Sequence, residues 1–147
     1  MTSHQVYLGL GSNLGDREGN IRKAIDLLHE RVGEVVRQSS LIETVPWGFE
    51  SEHRFLNGVI LCETTLTPRQ VLKATQKIER ELGKTKAHAT KRQLSMLNSQ
   101  LPTFKDRPID IDILLYDDWE VEEPDLKIPH PLMRERDFVM IPLKEIL

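Results

Sequence analysis

An α+β fold of the ferredoxin-like, split βαβ kind is predicted for this chain by three observations. Candidate elements run in the order strand, helix, strand, strand, helix, strand. Two segments carry an inward-facing stripe at helical spacing, Ile21, Ala24, Ile25, Leu28 and Val32 in one, and Val71, Thr75, Ile78 and Leu82 in the other. Residues 107 to 116 alternate apolar and acidic residues with period two, which is strand spacing. The expected product is an antiparallel sheet with both helices packed on one face and a long loop between the second helix and the fourth strand.

Each element has local reasons. Val6-Tyr7-Leu8-Gly9-Leu10 reads as a first, central strand. Residues 11 to 16 read as a turn, with Asp16 as the N-cap of the first helix. Gly33 is a stop signal, and residues 34 to 45, rich in Val, Ser, Thr and Ile, read as one second strand. Residues 46 to 52 break the pattern as a loop, and Phe55 to Thr64 form the third strand. Thr67-Pro68 starts a helix, with Thr as N-cap and Pro at the first helical position, and Gly83 is expected to end it. Asp117-Asp118 turns the fourth strand towards a short edge strand, Trp119 to Val121. Pro129 to Leu147 is expected to form short helical turns.

At 147 residues the chain is read as a single domain, 1–147, with enough length for a real core. Hydrophobic residues make up 39% and charged residues 29%, as in soluble globular proteins. A net charge of −3 argues against a general polyanion binder. One cysteine, Cys62, excludes an internal disulfide and a cysteine cage for zinc. It lies in the apolar run Val59 to Cys62 and reads as a core residue. With no signal-peptide pattern and no apolar run of membrane-spanning length, the expected compartment is the cytoplasm.

The strand Arg107-Pro-Ile-Asp-Ile-Asp-Ile-Leu-Leu-Tyr116 carries the chemistry. Asp110 and Asp112 point to one face, about 7 Å apart along the backbone. A helix would swing them about 200° apart. Ile109, Ile111, Ile113 and Leu115 are expected to face the core. Two neighbouring carboxylates repel unless a cation neutralises them, so the pair is either a solvated strand face or a cation site. Hard oxygen donors suit Mg²⁺, which completes its shell with water and phosphate.

Segment 84–107 holds Lys84, Lys86, Lys91, Arg92, Lys105 and Arg107 against one acid, Asp106. The rest of the chain holds 14 basic and 22 acidic residues. A connection this long is usually a functional lid or disordered. It is read as a basic, mobile lid, or as a plain solvated charge run. Leu94 to Leu97 fits a helical turn within it. Lys and Arg beside a Mg²⁺ site are what holding a polyphosphate needs.

Weaker signals lie elsewhere. Gly9-Leu10-Gly11-Ser12-Asn13 lacks the third glycine of a dinucleotide fingerprint and reads as a tight strand-to-helix turn rather than a phosphate cradle. Pro129-His130-Pro131 with Arg134 and Arg136 is either a proline-pinned turn or a set of phosphate contacts. Asn57 offers a donor and an acceptor to a heterocycle edge, or simply satisfies backbone. Gln76 and Glu79 share a helix face. With no Ser-His-Asp or Cys-His set, the nucleophile is expected to be the substrate itself.

Together these pieces resemble the 6-hydroxymethyl-7,8-dihydropterin pyrophosphokinase family. The resemblance runs from Val6 to about Leu143 and rests on Gly-Ser-Asn-Leu at 11–14, Phe-Leu-Asn at 55–57, Arg-x-x-Asp-x-Asp-Ile-Leu at 107–114 and Pro-His-x-x-Met-x-x-Arg at 129–136. It implies transfer of the β,γ-diphosphate of ATP to the pterin hydroxymethyl oxygen, with AMP released. It implies that Asp110 and Asp112 hold two Mg²⁺ ions, with Arg107 and Lys84 also catalytic. Gln76, Glu79, Lys86, Arg107, Ile113, His130 and Arg136 would meet the nucleotide. Thr44, Val45, Trp47, Phe55, Asn57, Phe104 and Phe138 would line the pterin pocket, with rings sandwiching the heterocycle.

This chain departs from the family pattern in places. Lys84 and Lys86 stand where arginine is usual, giving charge without the bidentate fork. Phe104 stands near a usual Trp, and Phe55 where Tyr is common. Asp125 and Lys127 do not match the usual nucleotide-facing edge, and the lid is longer. The expected partners are small molecules, with no nucleic acid or membrane, and a monomeric chain. Two rivals stand beside this reading. An RNA-binding module on the same fold would need exposed aromatics on its central strands, and the sheet offers few. A nucleotide hydrolase could use the same metal pair.

Overall fold

The computed structural model describes residues 3–44, 54–87 and 108–147, the last four of the middle stretch as backbone. Strand β1 (His4–Ser12) lies at the centre of the sheet, antiparallel to β4 (Phe55–Thr64) on one side and to β5 (Asp110–Tyr116) on the other. Beyond β4 comes β2 (Gly33–Gln38), giving the order β2-β4-β1-β5. Strand β3 (Ile42–Thr44) also pairs with β4, opposite Phe55 to Asn57. Among the described residues β5 is therefore an edge strand.

Helices α1 (Arg17–Arg31) and α2 (Pro68–Ala87) cover one face. Their buried residues Ile21, Ala24, Leu28, Val71 and Ile78 meet Val6, Leu8, Leu10, Ile60, Cys62 and Ile111 from the sheet. The ferredoxin-like expectation holds. Both predicted caps form. Asp16 accepts from the Gly19 N–H at 3.0 Å. Thr67 Oγ1 accepts from the Gln70 N–H, while Gln70 Oε1 accepts from the Thr67 N–H, a reciprocal box.

Several expectations change. Strand β1 holds Gly9 as expected but runs on to Ser12, so Gly11 is a strand residue and not part of the turn. The buried Asn20 shapes the actual turn, donating to the Leu14 carbonyl at 2.9 Å. The segment read as one second strand is two, β2 and β3. At the break, Ser39 Oγ accepts the Val59 N–H at 2.8 Å, so a side chain replaces the backbone partner. Gly83 does not end α2, which continues to Ala87; a Cβ there would meet nothing within 4 Å. The first four residues of the expected lid thus belong to a helix, and the remainder, 88–107 with its Leu94–Leu97 turn, lies outside the described residues.

After β5, the short edge strand is instead a hairpin, β6 (Val121–Glu123) and β7 (Leu126–Ile128). The tail forms one 3₁₀ turn (Met133–Glu135) and then α3 (Asp137–Ile146). Helix α3 packs on the other sheet face, where Val139, Leu143 and Ile146 bury Val59, Leu61 and Leu114. Arg37 donates to its last turn at the Ile146 carbonyl, 2.9 Å. Leu115 was expected in the first core. A bulge leaves Leu114 without a partner in the β1–β5 register, so the alternation shifts: Tyr116 enters the first core and Leu114 and Leu115 face the second.

Candidate active site

The α3 layer stops short of one end of the sheet, and the cleft it leaves is lined by β1, β4, β5 and the start of α3. Asp110 and Asp112 both line it, on the same face as the spacing predicts. Across the ladder Asp112 pairs with Gly9 and Asp110 with Gly11. Paired residues put their side chains on one face. The glycines therefore leave open the volume into which the carboxylates project. At Gly11 this openness is tight. A Cβ would lie 2.8 Å from Asn57 Oδ1 and 3.4 Å from the Phe55 ring. The sequence signal was present: with Leu8 and Leu10 facing the core, period two sends Gly9 and Gly11 to the opposite face.

Asn57 is buried in the floor of this cleft, and its Nδ2 donates to Thr44 Oγ1 at 2.7 Å. That bond ties β4 to β3 and fixes the amide beside the carboxylates. Arg17 of α1 steadies the same corner, donating to Glu43 Oε2 and to the Arg54 carbonyl, each at 2.8 Å. Phe138 enters from α3, and the guanidinium of the buried Arg136 lies 5.5 Å from its ring centroid. Thr44, Phe55, Asn57, Phe138, Asp110 and Asp112 thus converge on one corner of the fold.

A second pocket, about 270 Å³, opens at the edge of β5 and shares Asp112. Leu72, Ile111, Ile113 and Leu126 give it apolar walls, and His130 also lines it. The Ile111 N–H points away from β1 and donates to Glu79 Oε2 at 2.8 Å. By the ladder's period the Ile113 N–H lies on this same open edge. Glu79 is therefore a strand-holding residue, a role its sequence position did not reveal. Gln76 is exposed on α2 and lines neither pocket.

His130 is anchored through its N–H to the Leu114 carbonyl, 3.0 Å. Its Nδ1 accepts from the Leu132 N–H at 3.3 Å, which leaves Nε2 to carry the proton of the neutral ring. Burial holds the His130 pKa below its ordinary value; the Arg136 charge pushes the same way and Asp110 opposes. Cys62 plays no part: burial pushes its thiol up to about 12.

Among the described residues no group of three or more His, Cys, Asp or Glu forms a metal cage. Two carboxylates in an open cleft instead fit a hard cation that takes its remaining oxygens from water and phosphate. Arg107, Val45, Trp47 and Phe104 lie outside the described residues. Lys84 and Lys86 stand in the last turn of α2, their side chains likewise outside. No described helix is long and apolar enough to cross a membrane.

A split βαβ sheet bearing paired carboxylates between a narrow cleft and a neighbouring, largely apolar pocket is a frame that suits a small-molecule group transferase. The chain belongs to the 7,8-dihydro-6-hydroxymethylpterin-pyrophosphokinase (HPPK) family, whose profile matches residues 7–147. It is 46% identical over 142 residues to a 2-amino-4-hydroxy-6-hydroxymethyldihydropteridine pyrophosphokinase of Porphyromonas gingivalis, covering 96% of this chain and 89% of the relative. Proteins of the same name from Aquifex aeolicus and Bacillus subtilis are 41% and 40% identical, each over 96% of this chain and covering 79% and 77% of theirs. Among solved structures, a Plasmodium falciparum HPPK-DHPS superposes with a TM-score of 0.68 at 16% identity, over 97% of this chain and 40% of that one. At that identity the match speaks for the fold.

Proposed function

We propose that this chain moves the β,γ-diphosphate of ATP to the hydroxymethyl oxygen of 6-hydroxymethyl-7,8-dihydropterin. The new bond joins that oxygen to Pβ. The bond from Pβ to the oxygen bridging it to Pα breaks, AMP leaves with that oxygen, and the proton of the hydroxymethyl group passes to water. The observation that carries the reading is the shared Asp112, which lines both the cleft of Asn57 and Phe138 and the pocket of Leu72 and His130. A pterin in the first and an adenosine in the second would bring a hydroxymethyl group and a triphosphate together over the carboxylates.

Family membership supports the reaction, and the donor set supports two Mg²⁺ ions held by Asp110 and Asp112. Bound Mg²⁺ would neutralise charge on the phosphates. Asn57, its orientation fixed by Thr44, reads the edge of the pterin with one acceptor. Phe55 and Phe138 flank the flat ring. Neutral His130 offers its Nε2–H to a phosphate oxygen, and Arg136 adds fixed positive charge behind it. Lys84, Lys86, Arg107, Val45, Trp47 and Phe104 complete the site from the flanking segments, with residues 88–107 closing over both ligands to exclude water. Positioning and charge stabilisation then account for most of the acceleration.

Incubating the protein with ATP, Mg²⁺ and the pterin alcohol, then weighing the products, tests this. Pterin diphosphate and AMP are expected in equal amounts, and AMP only when the pterin is present. AMP without the pterin would make the protein a hydrolase. Asp110→Ala and Asp112→Ala should each fold yet lose about 10³-fold or more in kcat; near-normal turnover in either would end the metal assignment.

A further inference from the structure

The pocket assigned to adenosine has one wall on α2 and another on the β6–β7 hairpin. Leu72 projects from the helix; Pro124, Asp125 and Leu126 come from the hairpin. Leu126 and Ile128 root the hairpin in the core. Its tip carries Glu123 and Asp125, half exposed or more, and reaches α2 through Arg69. Arg69 lies in the first turn of α2, three residues before Leu72, on the same helix face. Its Nη1 donates to Asp125 Oδ2 at 2.7 Å and its Nη2 to Glu123 Oε1.

We propose that Arg69 is a positioning residue for the nucleotide: by clamping both acids at the hairpin tip it sets the width of the adenosine pocket. The inference rests on the nucleotide reading of that pocket. One exposed ion pair holds little, because ordering two long side chains offsets most of its attraction. Here the two acceptors stand on one paired hairpin rooted by Leu126 and Ile128, and a single planar fork meets both, so the second contact orders no further arginine. Arg69 holds the Asp125 carboxyl below its usual range, which fits a contact made in the folded chain. Since Arg69 touches the wall and not the reacting atoms, its loss acts on nucleotide affinity and leaves the chemical step alone.

The test compares the wild-type chain with Arg69→Met, which keeps the aliphatic stem and removes the fork. Kd for α,β-methylene-ATP with Mg²⁺ is read by calorimetry, and KM for ATP, KM for the pterin and kcat from turnover. Kd and KM for ATP should rise about three- to tenfold, while kcat and the pterin KM stay within about twofold. Arg69→Lys should fall between. Asp125→Asn should reproduce the rise, and adding it to Arg69→Met should bring no further loss. Unchanged nucleotide affinity in Arg69→Met, with normal melting and turnover, overturns the clamp. A further loss in the double variant also overturns it, by showing that Asp125 touches the nucleotide directly. Absence of pterin diphosphate from the wild type would instead strike the function, while the calorimetric arm still reads the clamp.

Discussion

Gly11 shows how one missing side chain makes a site. Its Cα lies against Asn57 and Phe55, and only hydrogen fits between them. In Gly11→Ala the added methyl would meet the Asn57 oxygen at 2.8 Å and displace the amide meant to read the pterin. One methyl in a filled pocket is worth about ten- to 200-fold in discrimination. The pterin KM should rise by about that factor while the ATP KM holds. A variant with an unchanged pterin KM would place the heterocycle elsewhere. Asp110 and Asp112 were legible from two-residue alternation alone. The glycines opposite them are equally periodic, yet Gly11 reads as the start of a turn, because glycine before Ser-Asn is a common turn signal. Nothing local marks Gly11 as pressed against β4; that contact joins residues 46 positions apart.

At the scale of elements, β5 is where sequence and structure part most instructively. Its alternation predicts a strand with acids on one face, and the strand forms. Its edge position comes only from the order β2-β4-β1-β5, which leaves backbone groups facing out. Glu79 takes one of them, the Ile111 N–H between the two aspartates. Replacing Glu79 by Leu should cost about 1–3 kcal/mol of stability, as a part-buried donor loses its acceptor. Glu79→Gln keeps an acceptor and should melt close to the wild type. Equal melting of the Leu variant would show that this bond holds nothing. The split of β2 from β3 has the same kind of origin. Ser39 competes with the backbone for Val59, and a serine in a Val- and Ser-rich run gives no warning of that. Helix α2 continues past Gly83 because a glycine facing open space lowers helix propensity without stopping a long helix.

For the molecule as a whole, the second layer decides what kind of surface the sheet presents. Helix α3 covers the face opposite α1 and α2, with Val139, Leu143 and Ile146 buried against β4 and β5. A ferredoxin-like RNA binder needs that face open for stacking. Among the described residues α3 occupies that face and stops short of the end where the carboxylates stand. Global stability should also report His130. Its folded pKa lies below the unfolded value of about 6.5, so between the two the unfolded chain binds more protons. The His130 contribution is therefore full above about pH 6.5 and is lost as pH falls below it. In ligand-free protein, the Tm advantage of wild type over His130→Gln should shrink from pH 7.5 to pH 5.5. A gap that stays constant, or widens on acidification, would refute the half-buried neutral ring.

The sequence by itself determined the two sheet-packing helices with their N-caps, the strands β1, β4 and β5 in outline, the carboxylate pair and the family, because each is written in local spacing and residue type. Only the tertiary structure decided which glycines border the acids, that Glu79 holds the β5 edge, and that Arg69 joins α2 to the hairpin. Those facts depend on strand order and on a bulge at Leu114, both set by packing between distant segments. Periodicity says which way a side chain points from its own strand; it does not say what stands opposite.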